Sequence, residues 1–103
     1  MSREFEEFNK KADELFAEGF KRLKEAITYI EERSFEKAEL RLEDAASTFK
    51  KLLEVVNEFI HESGKKPLRT TMKSFGQVTS SFIKCFLEVT EGLQKAMKGL
   101  QKC

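Results

Sequence analysis

The sequence predicts an all-α protein, an antiparallel bundle of three long helices. The first sign is a run of apolar residues spaced three, four, three, four through the middle of the chain: Phe35, Ala38, Leu42, Ala45, Phe49, Leu52, Val56 and Phe59. The second is a matching run in the last third: Met72, Phe75, Thr79, Phe82, Phe86, Val89, Leu93, Ala96 and Leu100. Such spacing is a heptad stripe along an α-helix. The third is the scarcity of breakers, with five Gly and one Pro in 103 residues. An all-β fold needs far more turns than these residues could supply.

The first helix is expected over about residues 3–32. Phe5, Phe8, Ala12, Leu15, Phe16, Gly19, Phe20, Leu23, Ala26, Ile27 and Ile30 trace one drifting face at a helical period. Ser2 is placed to cap it, and Glu4, Glu6 and Glu7 suit the positive end of its dipole. No Gly or Pro marks its end, but the phase of the stripe does. Continuing from Phe16, Phe20, Leu23, Ile27 and Ile30 leads to Ser34 and Lys37, whereas the apolar residues resume at Phe35 and Ala38. That step rotates the face by about 140° at 100° per residue, so a tight turn is expected at Arg33-Ser34, with Ser34 capping a new helix. An unbroken helix of nearly sixty residues is the competing reading.

The second helix is expected over 35–62, with Ala46, Leu53 and Ile60 widening its stripe at the e positions. Ser63-Gly64-Lys65-Lys66-Pro67 then reads as a loop. Gly64 suits the left-handed position after a helix, and Pro67 suits the first position of the next. The third helix is expected over 69–102. It adds Gly76, Ile83, Thr90 and Met97 at e, and Val78, Cys85, Gly92 and Gly99 at g. The last three of those g residues are small and form a shallow flank, which suggests close approach of another helix.

At 103 residues the chain is one domain, 1–103, long enough to bury a core without metal or disulfide. Ten Phe and a 40% hydrophobic content supply that core, and a charged fraction of 36% fits helices that each keep a wet face. The N-terminus lacks an apolar secretory segment, and no run of about 18 apolar residues spans a membrane. Cys85 and Cys103 on one continuous helix would lie roughly 27 Å apart, beyond disulfide reach. A reduced, cytoplasmic protein is therefore expected, with an intermolecular bridge through Cys103 as the alternative.

Charge is segregated. Residues 1–63 hold 11 basic against 16 acidic residues, a net of −5, and residues 64–103 hold 8 against 2, a net of +6. An acidic hairpin packing on a basic third helix accounts for this. So does a basic helix that meets an anionic partner. Lys73, Lys84, Lys95, Lys98 and Lys102 fall at b, c and f positions away from the core, and Lys65, Lys66 and Arg69 add a cluster at the loop. The lysines are too sparse for a dense phosphate-binding surface, and no aromatic residue is left on that face to stack bases.

Catalytic chemistry is poorly supplied. The single histidine, His61, follows Glu58 at i+3, the pairing that di-iron carboxylate bundles use. A full site needs two such pairs, so a metal would require a second copy, and register places Glu58 and His61 on the solvent side. Cys85 has no histidine nearby in sequence to activate it, and is read as a half-buried structural thiol. Tyr29 is read as an interface anchor.

Residues 26–49, with Ser34-Phe35-Glu36-Lys37-Ala38 at the turn, resemble the helical hairpins of tetratricopeptide repeats and of small three-helix trafficking modules. The resemblance covers about a quarter of the chain and implies an interaction module. The sequence thus points to a non-enzymatic protein–protein interaction module, an adaptor, chaperone-like or assembly subunit with no cofactor. Its candidate contact residues are Lys73, Lys84, Cys85, Gly92, Lys95, Lys98 and Gly99. Its expected partners are another protein and a second copy of itself, because the apolar stripes exceed what a three-helix core needs. Nucleic acid or an acidic lipid surface bound through the third helix, and a metal-binding bundle completed by dimerisation, are the alternatives.

Overall fold

The computed structural model describes residues 3–63 and 70–102, with side chains described for 3, 5–62 and 77–101. Three α-helices account for these residues: α1 (Arg3–Glu31), α2 (Phe35–Ser63) and α3 (Thr70–Lys102). The Gly64 and Pro67 turn signals, the Lys65, Lys66 and Arg69 cluster, the Ser2 cap and Cys103 lie outside the described residues. So do the side chains of Met72, Lys73, Phe75, Gly76 and Lys102.

The expected break after the first helix is present, and its hydrogen bonds explain how the chain turns without glycine. Arg33 adopts φ 62°. Its N–H donates to the Ile30 carbonyl at 3.0 Å, and the Ser34 N–H donates to the Tyr29 carbonyl at 2.8 Å. These two bonds form a Schellman motif, which satisfies carbonyls orphaned at the helix end. The Ser34 carbonyl then accepts the Ala38 N–H at 3.0 Å, opening α2. Arginine carries a Cβ into the left-handed region, a conformation that costs about 1–2 kcal/mol outside glycine.

The helices run up, down and up. Phe8 meets Phe59, Gly19 meets Phe49 and Glu25 meets Arg41, so α1 and α2 are antiparallel. Phe49 meets Phe86 and Asn57 meets Ser80, so α3 returns parallel to α1. The predicted stripe of α2 is the core of the molecule. Ala38, Leu42, Ala45, Phe49, Leu52 and Val56 are all buried, with Phe35 and Phe59 half-buried at the two ends. One flank of α2 faces α1, where Arg41 reaches Glu25 at 3.6 Å and its guanidinium lies over the Tyr29 ring at 5.9 Å. Tyr29 is thus an anchor within the fold, with Lys37 Nζ also over its ring at 5.8 Å. The opposite flank of α2 faces α3.

Gly19 sets how closely α1 approaches α2. A Cβ added there would lie 2.6 Å from Phe49 Cε1 and 2.9 Å from Phe49 Cδ1. The Phe49 ring is fully buried and has no free direction in which to yield, since Phe16 and Phe86 also bracket it with centroids 6.3 and 5.8 Å away. The open end of this hairpin is clamped by the stacked rings of Phe8 and Phe59, 4.0 Å between centroids.

Two substitutions test these local constraints. Arg33→Gly is expected to raise the urea midpoint at unchanged m-value, a gain of about 0.5–1 kcal/mol from relief of the left-handed conformation. Gly19→Ala is expected to lower the midpoint: overpacking against Phe49 costs about 1–3 kcal/mol, more than the roughly 1 kcal/mol gained in helix propensity.

Candidate functional site

The bundle has a vacant position. Among the described residues its extensive interfaces are α1 with α2 and α2 with α3; α1 and α3 share none of comparable extent there. They touch through Phe86, whose ring meets Phe16 edge-on at 5.4 Å and Phe20 at 6.5 Å. The outline agrees, at 55 × 19 × 14 Å. Three helices in a closed triangle, with axes 8–10 Å apart and Cα atoms on 2.3 Å cylinders, would measure about 14 Å in both cross directions. Three corners of a square put the diagonal pair about 13 Å apart and give a long cross dimension of about 18 Å. Among the described residues α1 and α3 thus stand across from one another on either side of α2, an arrangement like three corners of a four-helix bundle with the corner opposite α2 open.

Both walls of this cleft carry apolar side chains, with Lys24 Nζ over the Phe20 ring at 5.8 Å on the α1 side. On α1, Phe16, Phe20 and Ile27 are exposed although they belong to the helix's own stripe. On α3, Phe82, Val89 and Leu100 are exposed at 63%, 56% and 49%. This changes the expected register of α3. Its core is built from the a and e columns and part of b: Thr79, Phe86 and Leu93 are half-buried, Ile83, Thr90 and Met97 are buried, and so is Ser80. The d column, Phe82, Val89 and Ala96, faces solvent. The physical reason is the missing neighbour. In a closed three-helix core the d column would pack on α1, but here α1 stands across the diagonal. The buried hydroxyl of Thr90 is satisfied within α3, donating to the Phe86 carbonyl at 2.8 Å.

The g column continues the uncharged surface outward. Cys85, expected at the core edge and half-buried, is exposed and free. Its g position lies beyond a d column that is itself outside the core. Gly92 and Gly99 are exposed, and a Cβ at either would meet nothing within 4 Å. Their smallness is thus not explained by packing among the described residues. Lys84, Lys95 and Lys98 are exposed as expected, but on the other flank of α3, where Glu88 and Glu91 interleave with them. The described part of that flank carries a net charge of only +1. Lys73 is in α3, and its side chain is outside the described set.

The remaining candidates are dispersed. Glu58 and His61 are both exposed near the end of α2, and among the described residues no three His, Cys, Asp or Glu side chains are grouped to hold a metal. A shallow depression along α1, lined by Ala17, Phe20, Lys21, Lys24, Glu25 and Thr28, is walled by one helix alone. It has no opposite wall to enclose a substrate. Arg22, Glu25, Arg41 and Asp44 form a chain of ion pairs along the α1–α2 seam, with contacts of 3.1 to 3.8 Å. Each member already has a partner across or along that seam, so the chain serves the hairpin.

If the outer face of α3 is open in the isolated chain, Gly92→Ala should stabilise the protein in dilute solution by about 1 kcal/mol through helix propensity alone. Chemical denaturation of the variant beside the parent checks this, and the sign should be opposite to that of Gly19→Ala.

No family model matches this chain, and neither a curated protein nor a solved structure does, so its function is argued from its own residues.

Proposed function

We propose that this chain is a non-enzymatic protein–protein interaction module, an adaptor or assembly subunit. Its contact surface is the α1–α3 cleft together with the outer face of α3. The observation that carries the reading is the open corner opposite α2, flanked by Phe16, Phe20 and Ile27 on one side and Phe82, Val89 and Leu100 on the other. Single exposed apolar residues are ordinary on protein surfaces; a continuous patch between two helices marks a docking groove. The natural occupant is an amphipathic helix, which buries its apolar face between α1 and α3 and completes a four-helix core. Cys85, an exposed free thiol beside this surface, favours a reducing compartment such as the cytoplasm.

The alternatives draw less support from the side chains. An anionic partner needs a dense positive surface, and Glu88 and Glu91 dilute the lysine flank of α3. A metal carboxylate site needs further ligands around Glu58 and His61, and both side chains project into solvent.

Site-specific photocross-linking in cells of the source organism tests the reading. A photoreactive group at position 82 should yield adducts with a polypeptide chain. The same group at position 40 should not, because Leu40 is equally exposed but lies on the outer face of α2, away from the cleft. Equal labelling at both positions, or adducts at neither, would refute a docking role for the cleft.

A further inference from the structure

We propose that the vacant corner is filled by α3 of a second copy, and reciprocally, giving a dimer whose two-fold axis runs parallel to the helices. The inference rests on the docking reading of the cleft and names its occupant.

The angular distribution of residues on α3 argues for it. At 100° per residue, the a and e columns point to α2. The d column, with Phe82, Val89 and Ala96, lies about a quarter-turn away. The g column, with Cys85, Gly92 and Gly99, lies about 140° away on the same side. All these exposed positions are uncharged, and the charged residues Lys84, Glu88, Glu91, Lys95 and Lys98 occupy the one remaining flank. A helix with that pattern has three neighbours and one wet side. Within a single chain α3 has one full neighbour.

Symmetry supplies the other two. With helices on a square lattice, a two-fold perpendicular to the helices would bring the second copy's α2 onto α1. A two-fold parallel to the helices avoids this and places each α3 in the other's open corner. The product is a two-by-three array of six helices. In it each α3 packs on its own α2, on the second copy's α3 through the d column, and on the second copy's α1 through the g column.

Side-chain sizes agree with that arrangement. The Phe86 ring lies between Phe16 and Phe20, 5.4 and 6.5 Å away, so along parallel helices Phe20 is level with about position 88 and Ile27 with about position 95. Across the two-fold, Phe20 then faces the gap between Cys85 and Gly92 of the second copy, and Ile27 the gap between Gly92 and Gly99. Bulky residues on α1 thus meet small ones on α3, which gives Gly92 and Gly99 a close approach that no described side chain of the single chain makes. The interface is isologous, as two-fold contacts require. Residues 78–100 span about 33 Å, and two contact strips of helix width along that length bury on the order of 800 Å² per copy, the size of a stable interface.

Sedimentation equilibrium at high micromolar concentration should give a dimer. Val89→Asp should leave the circular dichroism unchanged, since Val89 is solvent-exposed in the single chain, and weaken dimerisation at least about tenfold by burying a charge. Gly92→Leu should do likewise by blocking the second copy's α1. In a Cys85→Ser, Cys103→Ser background, Val89→Cys should oxidise to a covalent dimer and Lys95→Cys, on the wet flank, should not. A monomer at high micromolar concentration overturns the proposal. So does a dimer indifferent to both Val89→Asp and Gly92→Leu, or equal cross-linking at 89 and 95. In any of these cases, adducts at position 82 with another protein would still uphold the docking role of the cleft.

Discussion

The ring of Phe49 sits where three helices meet, and the absence of a side chain at Gly19 lets it sit there. Phe49 is fully buried on α2, lies against the bare backbone of α1 and is flanked by Phe16 and Phe86. This contact fixes the spacing of α1 from α2. Through Phe86 it also fixes the level at which α3 docks. Aromatic rings carry large buried areas, and here one ring links all three elements. A larger residue at position 19 would displace the ring, and with it the level at which the described residues of α1 and α3 touch through aromatic contacts.

Because α2 takes the central place, its two flanks are spent on two different neighbours. One flank carries Arg41, tied to Glu25 and stacked on Tyr29; the other carries Ala46 and, near its end, the Asn57–Ser80 contact at 3.5 Å. With its two packed flanks set about a right angle apart, α2 holds α1 and α3 out of extensive contact among the described residues. The open cleft is therefore a result of good packing elsewhere. Moving α3 toward α1 would require giving up part of the α2–α3 interface, including buried Ile83, Thr90 and Met97.

What the sequence disclosed and what it hid divide along a physical line. Periodicity belongs to one helix, and it located the three elements to within a residue or so and the α2 core completely, from Ala38 to Val56. The phase slip after Ile30 revealed the turn at Arg33-Ser34, although a left-handed arginine has no signature of its own. The neighbours of a helix, by contrast, belong to the assembly. The spacing of Phe82, Val89 and Ala96 showed that they form a stripe, but not that the helix meant to cover it stands across a diagonal. Cys85 was misplaced for the same reason, one column further out. Gly19 read as a member of a stripe, because the need for a missing Cβ is set by Phe49 thirty residues away. The excess of apolar positions over what three helices require was visible from the start, and the structure shows where that excess lies.

An amphipathic helix is designed by its surroundings, so the width of its uncharged arc counts its neighbours. A helix against one partner needs an arc of about 100°, a seam that a and d columns provide. On α3 the a, d, e and g columns are all uncharged from Val78 to Leu100, leaving charge on little more than a third of the circumference. Solvation alone gives no reason for such economy. Lysine or glutamate at positions 82, 89 or 92 would cost the single chain nothing in packing, and at 92 would improve helix propensity. Keeping Phe, Val and Gly there instead is unfavourable for an isolated three-helix protein in water. It becomes favourable once another helix stands in the open corner.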